Sequence, residues 1–207
     1  MRQRMMKLLA ITNEVLSKAF NYDSYTKLIE NLFFENRTTN DDNSESQLNY
    51  TKLNIQRASR WEKRAKLNEN LKEVVNKINN DQIWLVITEG WCGDAAQILP
   101  FINKISELNE KIELKLVLRD QHPEVMDEFL TDGSRSIPKV VVLNKENLDV
   151  LGSWGPRPKA VHEDYVKKRR DPGYDNKKAA EELHLWYARD KGKTIQAEFK
   201  EFLESLN

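Results

Sequence analysis

The hydrophobic pattern of the chain changes character near residue 80. Before that point no glycine or proline interrupts the sequence, and apolar residues recur at helical spacing with polar residues between them. This pattern predicts a helix over residues 13–36, a polar loop near residues 37–47 and a second helix over residues 48–78. Residues 1–79 are therefore predicted to form a helical N-terminal extension.

The middle of the chain has the pattern of an α/β domain. It contains one unbroken apolar run, as expected of a strand that is buried on both faces, and a second segment that alternates apolar and polar positions. A proline kink is predicted in the first helix of this region, at Pro100. The predicted elements are, in order, strand 83–87, helix 92–108, strand 112–118, helix 122–130, strand 139–143 and strand 148–152.

This order of elements predicts the architecture of residues 80–155. A strand, helix and strand in succession require a right-handed parallel crossover, whereas the last two strands are joined by a short turn and should be antiparallel. A mixed sheet with helices on both faces follows. Residues 156–207 are again helical and charged, with a break near residues 171–173, and are predicted to pack on this core as a C-terminal extension.

Composition narrows the partners and the compartment. Thirty-three basic and thirty-three acidic residues leave no net charge, so neither nucleic acid nor an anionic membrane is a predicted partner. No apolar run approaches the roughly 18 residues that span a bilayer, and residues 1–11 do not read as a signal peptide. The single cysteine excludes an internal disulfide and fits a reducing compartment, so we expect a cytoplasmic protein.

The candidate for chemistry is that cysteine, Cys92, which stands between the apolar strand and the next predicted helix. The positive end of a helix dipole and free backbone N–H groups stabilise a thiolate, the reactive form of cysteine. The nearby carboxylate of Asp94 opposes this effect, and the net prediction is a moderately reactive nucleophile. The alternative is an inert, half-buried cysteine.

Several marks in residues 80–155 resemble the thioredoxin fold. They are Trp91-Cys92-Gly93, the kink at Pro100, Ile137-Pro138 before a strand, and Gly152 in the last strand. The resemblance implies a cis peptide bond at Ile137-Pro138 facing Cys92, with the backbone N–H and C=O groups of Ile137 free to pair with an extended substrate. The alternative is an ordinary trans proline at the entry of a strand.

Longer strings are similar to a bacterial group of thioredoxin-like proteins that have a Trp-Cys-Gly-Asp motif and a helical N-terminal extension. These strings are residues 118–120, 134–138, 152–158 and 186–192. The chain departs from the dithiol pattern at Ala95, where a second cysteine would stand. It also has Val86 where thioredoxins bury an acidic residue that assists proton transfer.

A single thiol implies a different cycle. Attack by Cys92 on a disulfide would give a mixed disulfide, which a glutathione-like small thiol or a second cysteine of the protein partner would have to release. This predicts a monothiol thiol–disulfide oxidoreductase. The alternative is a non-catalytic adaptor that uses the same fold to bind a peptide or protein.

The remaining site predictions follow from position. Arg119 and Arg135 lie near strand ends, where they would offset Asp94 and attract the carboxylates of a partner such as glutathione; local salt bridges are the alternative. Trp91 would cover the thiol, or else would simply pack. The predicted substrate-binding residues are Trp91, Gly93, Asp94, Arg119, Arg135, Ile137 and Pro138.

No metal site and no cofactor are predicted. His122, His162 and His184 have no metal-ligand spacing with each other or with Cys92. The basic run at residues 167–170 is flanked by acidic residues and is interpreted as a solvated helix end. The aromatic residues of the outer helices are predicted to be core: Trp61, Trp186, Tyr187 and Phe199.

Overall fold

The computed structural model describes residues 10–206, which fold into a mixed four-stranded sheet surrounded by helices. Residues 1–9 lie outside the described part. They make up most of residues 1–11, the segment in which no signal peptide was predicted. The elements are α1 Asn13–Lys18, α2 Tyr22–Phe34, α3 Glu45–Arg64, α4 Glu69–Asn76, β1 Gln82–Thr88, α5 Gly93–Ser106, β2 Ile112–Leu118, α6 Pro123–Met126 with a 3-10 turn Asp127–Phe129, β3 Lys139–Asn144, β4 Val150–Trp154, α7 Lys159–Arg170, α8 Asn176–Asp190 and α9 Lys193–Glu204.

The sheet has the strand order β2-β1-β3-β4. β1 runs parallel to β2 in a register that pairs Gln82 with Ile112 and Thr88 with Leu118, and it runs antiparallel to β3. β3 and β4 form the antiparallel pair that the short turn predicted. All seven residues of β1 are buried, as expected for a central strand covered on both faces. The predicted mixed sheet and its helical extensions are confirmed.

The N-terminal helices are shorter than the sequence pattern predicted. The predicted helix over residues 13–36 is broken at Phe20, whose backbone N–H and C=O groups pair with Leu116 at 2.8 and 2.7 Å. Leu116 lies on the free edge of β2, so this break satisfies polar groups that the sheet edge would otherwise leave open. Asn21 then caps α2 by accepting a hydrogen bond from the Ser24 N–H group.

The predicted helix over residues 48–78 is also two helices. α3 ends at Arg64, and Asn68 caps α4 by accepting a hydrogen bond from the Leu71 N–H group at 2.9 Å. The same asparagine is bound by Gln196 of α9, whose side-chain oxygen accepts from the Asn68 backbone N–H group at 2.8 Å. A contact with a residue 128 positions away in the sequence therefore fixes this break. The helical spacing of apolar residues does not predict such a contact.

The loop between α2 and α3 is not a solvated linker. Thr38 and Thr39 are buried, and the Thr39 hydroxyl oxygen accepts a hydrogen bond from the Gly90 backbone N–H group at 3.1 Å. The loop is therefore docked against the segment that carries Cys92. The polar pattern predicted a loop here, but it did not indicate that Thr39 attaches the loop to Gly90.

The C-terminal helices close the core. The Phe199 ring of α9 packs edge-on against Trp84 of β1 and Trp154 of β4, with ring centroids 5.2 and 5.6 Å apart. Trp61, Tyr187 and Phe199 are buried as predicted, whereas Trp186 is half-buried. Within residues 10–206, no helix combines the length and the apolar character that crossing a membrane would require.

Candidate functional site

Cys92 caps the N-terminus of α5 directly after the turn that follows β1. Its sulfur accepts a hydrogen bond from the Ala95 backbone N–H group at 3.5 Å, and its thiol donates to the carbonyl oxygen of Ile137 at 3.4 Å. The Ile137–Pro138 peptide bond is cis in the structure. Residues 45 positions apart in the chain thus meet at one sulfur atom, where the sequence resemblance placed them.

The thiol is not held as an anion. Cys92 is only 7% exposed, and burial raises the pKa of its thiol to about 12, with a further increase from the nearby Asp94 carboxylate. The Ala95 N–H group and the charge of Arg157 act in the opposite direction but do not compensate. The expectation of a moderately activated thiolate is therefore wrong, because desolvation outweighs the helix terminus.

Asp94 lies at the centre of a buried polar cluster. Its carboxylate accepts hydrogen bonds from Arg157 Nε at 3.1 Å, from Arg157 Nη2 at 2.6 Å and from the Tyr187 hydroxyl at 2.6 Å. The side chains of Asp94 and Arg157 are about nine-tenths buried. This cluster connects the start of α5, which carries Cys92, to residues 152–158 and residues 186–192. Both segments belong to the strings on which the family resemblance depended.

Burial and the Asp94 carboxylate determine the protonation states of Arg157 and Tyr187. Burial alone would lower the pKa of Arg157, but the Asp94 carboxylate raises it above its usual value, so Arg157 stays charged. Burial and Asp94 together hold the pKa of Tyr187 well above its usual range, so its hydroxyl remains a donor. Tyr187 was predicted only as a core residue, and the contacts of Arg157 and Tyr187 with Asp94 were not predicted from the sequence.

Arg119 and Arg135 each form an ion pair with a nearby aspartate. Arg119 Nε donates to Asp120 at 2.7 Å, and its guanidinium lies 4.7 Å from the centroid of the Trp91 ring. Arg135 is exposed and makes two hydrogen bonds to Asp127, at 2.6 and 2.7 Å. The positive charge that lowers the pKa of Cys92 is that of Arg157. Substrate binding by Trp91, Arg119 and Arg135 stays a prediction.

The face around the cis proline is covered by the C-terminal part of the chain. A Cβ atom on Gly93 would lie 2.6 Å from the His184 ring, and one on Gly155 would lie 2.4 Å from the Pro138 carbonyl oxygen. The Ile137 carbonyl oxygen, which the resemblance implied would be free for a substrate, accepts from Cys92. Neighbouring groups therefore pack closely at Gly93, at Pro138 and at the Ile137 carbonyl, and substrate binding by Ile137 and Pro138 stays a prediction.

Replacement of Gly93 by alanine is expected to lower the free energy of unfolding by about 1–2 kcal/mol, because the new methyl group displaces the His184 ring from its packed position. Urea denaturation measures the change. In a His184→Ala background the same replacement should cost much less. An equal cost in both backgrounds would show that His184 does not cover Gly93.

A buried acid also lies beside the thiol segment, at Glu89. Its carboxylate accepts hydrogen bonds from the Thr39 hydroxyl and from the Asp120 backbone N–H group, the latter at 2.9 Å. Burial raises the pKa of Glu89 to about 7. The buried acid of thioredoxins would stand at position 86, which is Val86 here, and Glu89 was not predicted. The sign of it in the sequence is a charged residue directly after an apolar strand.

Glu89 and Cys92 line the same pocket, which has a volume of about 90 Å³. Its walls are formed by α2, α3 and the start of α5, so the N-terminal extension builds part of the site. Tyr25 lines the same pocket, and burial raises the pKa of its hydroxyl, with smaller increases from Cys92 and Glu89. This hydroxyl hydrogen-bonds to Thr88 at 3.1 Å.

Each of the three histidines contacts a neighbouring side chain. His184 hydrogen-bonds to Gln97 at 3.3 Å, and burial lowers its pKa to about 4, so it is neutral near pH 7. His162 contacts Arg157 at 3.1 Å, and His122 contacts Glu124 at 3.2 Å. In the described part of the chain, no group of three or more histidine, cysteine or acidic side chains is arranged to hold a metal ion.

Comparison with known proteins identifies the family of this chain. The family model described as thioredoxin matches residues 40–171. The chain therefore belongs to the thioredoxin family, and the match includes both the Cys92 segment and the cis proline.

Two solved structures are similar over most of the chain. A protein of unknown function from Pseudomonas aeruginosa is 19% identical with a TM-score of 0.62, and the match covers 98% of this chain and 100% of that one. An HIV epitope-scaffold is 19% identical with a TM-score of 0.57, covering 92% and 96%. These likenesses show the fold alone. No curated protein matches the chain.

Proposed function

We propose that this thioredoxin-family protein takes part in thiol–disulfide exchange through a mixed disulfide at Cys92. The observation that carries the proposal is the position of one sulfur atom: it caps α5, hydrogen-bonds to the Ile137 carbonyl beside Pro138 and lines a pocket. A helix N-terminus supplies N–H groups that stabilise a thiolate when one forms. Ala95, which donates such a group, stands where a second thiol would be needed for a dithiol cycle.

The exchange has two steps. Cys92 attacks one sulfur of a disulfide; the old S–S bond breaks, a mixed disulfide forms at Cys92, and the released thiol takes the proton that Cys92 gives up. A low-molecular-weight thiol or a cysteine of the partner then attacks the mixed disulfide and restores the Cys92 thiol. A reducing compartment such as the cytoplasm would supply that second thiol, which this chain does not contain.

The raised pKa sets the reactivity that we expect. At pH 7 the Cys92 thiol should react with iodoacetamide about a hundredfold or more slowly than a free cysteine, because the thiolate fraction is very small. The rate should rise about tenfold per pH unit toward about pH 12. The urea-unfolded chain is the control, and a profile with a midpoint near 8.5 in both states would contradict the buried environment.

Mass spectrometry of the intact protein tests the exchange itself. Incubation with 2-hydroxyethyl disulfide should add one mercaptoethanol group to the wild-type chain and none to Cys92→Ser. Added 2-mercaptoethanol should then remove the group. A wild-type chain that stays unmodified, or an adduct that added thiol does not release, would rule out exchange at Cys92.

A second candidate is a non-catalytic adaptor. It is favoured by one specific observation: burial keeps the thiol protonated, and Arg157 and Tyr187 hold Asp94 in a fixed buried cluster. Cells that carry Cys92→Ser in place of the native protein discriminate the two. If they keep the phenotype of wild-type cells while deletion does not, the adaptor is favoured and exchange is not the function.

A further inference from the structure

The route by which a disulfide reaches Cys92 is restricted by the fold. On one side His184 covers Gly93, the Gly155 turn packs against the Pro138 carbonyl, and Arg157 holds Asp94. On the other side Cys92 borders the pocket between α2 and α3. A disulfide that reaches Cys92 through this pocket passes between the helices of the N-terminal extension.

The dimensions of this pocket favour a small molecule. A cavity of about 90 Å³ has room for several water-sized groups, since about 10–15 Å³ of the same kind of space holds one water. A short chain of a few heavy atoms fits such a space, whereas a folded protein segment does not. The lining includes the apolar side chains of Ile29, Ile55 and Leu99, which suit an aliphatic chain.

In the part of the chain that the structure describes, the charged residues that line the pocket have one sign. Within residues 10–206 three carboxylates line it, Glu30, Glu62 and Glu89, and no lysine, arginine or histidine does. Glu30 and Glu62 are exposed and Glu89 is buried, so two of the lining carboxylates are in contact with solvent. Tyr22 donates a hydrogen bond to Glu62 at 2.8 Å and fixes that carboxylate in place. An anion entering here meets repulsion, and an ammonium group meets attraction.

We infer that the α2–α3 pocket admits small uncharged or amine-bearing aliphatic disulfides to Cys92 and excludes anionic ones such as glutathione disulfide. This inference rests on the proposed exchange at Cys92 and names its substrate class. It replaces the anionic partner that Arg119 and Arg135 suggested, because both arginines pair with neighbouring aspartates and neither lines the pocket. The reaction is the exchange already written, with a small alkyl thiol as the released product.

Three probes of equal chain length and different charge test the inference: cystamine, 2-hydroxyethyl disulfide and 2,2′-dithiodiacetate. Each rate of mixed-disulfide formation at Cys92 is divided by its rate with the urea-unfolded chain, which removes the intrinsic reactivity of the probe. We expect the normalised rates of the first two probes to exceed that of the dianion by about tenfold or more. Rates independent of charge, or fastest for the dianion, overturn the inference.

Two variants connect that preference to the pocket. Glu30→Gln combined with Glu62→Gln should reduce the ratio of cystamine to dianion by about tenfold, and Glu181→Gln on the exposed face of α8 should not. Ala58→Leu, which fills the pocket, should slow all three probes, whereas Ala160→Leu at an exposed position should not. An unchanged ratio in the double variant, or unchanged rates in Ala58→Leu, overturns the inference.

The outcomes separate this inference from the proposed function. If Cys92 forms adducts with all three probes without charge preference, the exchange survives and the pocket assignment fails. If none of the probes forms an adduct, both fail together.

Discussion

Replacement of Asp94 by asparagine is expected to lower the free energy of unfolding by about 3–5 kcal/mol, the cost of leaving one partner of a buried ion pair without the other. The asparagine has nearly the same shape, so packing is retained. Arg157 then keeps its charge in a nine-tenths buried position without the carboxylate that accepts its Nε and Nη2 groups. Urea denaturation monitored by tryptophan fluorescence measures the loss.

The chain offers a matched control for this experiment. Asp127 and Arg135 make the same two-point contact, at 2.6 and 2.7 Å, but on the exposed surface. Asp127→Asn should therefore change stability little, because water replaces the lost contact. Similar losses of stability in the two variants would mean that burial does not determine how much the Asp94–Arg157 ion pair contributes to stability.

A second replacement separates charge from packing. In Asp94→Asn combined with Arg157→Met, no buried charge is left unpaired, so a large part of the lost stability should return. If the double variant is as unstable as Asp94→Asn alone, the loss arises from the hydrogen bond of Tyr187 or from packing instead.

The same substitution should change the thiol. Asp94 raises the pKa of Cys92 and Arg157 lowers it, so Asp94→Asn removes a negative charge and leaves a positive one nearby. The pKa of the Cys92 thiol is therefore expected to fall, and alkylation at pH 7 should be faster than in the wild type. Arg157→Met should have the opposite effect and raise the pKa of Cys92. The opposite directions of these two pKa changes are a test that does not depend on stability.

Local patterns in the sequence were sufficient where the chain itself sets the structure. Strand β2 was predicted over residues 112–118 and occupies those residues, because alternation of apolar and polar side chains follows directly from the geometry of a strand. The approach of Cys92 to the Ile137–Pro138 segment was also expected, but from the family resemblance and not from spacing.

What the sequence did not reveal depends on contacts between distant segments. Asp94 and Arg157 are 63 residues apart, and neither a period nor a motif relates them. Glu89 is bound by Thr39, 50 residues away, and by a backbone group 31 residues away. The thiolate prediction failed for a related reason: a helix terminus is visible in the sequence, but the degree of burial that opposes it is a property of the folded chain.

Replacement of Glu89 by glutamine is expected to change how stability depends on pH. Burial raises the pKa of Glu89 from 4.5 to about 7, against the lowering effect of its hydrogen bonds with Thr39 and Asp120. Between these two pH values the folded protein keeps a proton that the unfolded chain has released. Stability from this group is thus fully present below pH 4.5 and is lost as the pH rises through about 7.

The size of the effect follows from the same linkage, at about 3 kcal/mol across the pH window. Glutamine is neutral at every pH and keeps one of the two acceptor oxygens. As the pH rises from 4.5 to 8, the stability of Glu89→Gln should therefore increase by about this much relative to that of the wild type. Urea denaturation series at both pH values give the difference. Glu181→Gln, at an exposed position on α8, should run parallel to the wild type. If Glu89→Gln also runs parallel, then Glu89 is already charged in the fold at pH 4.5, and its burial beside Cys92 does not control its protonation.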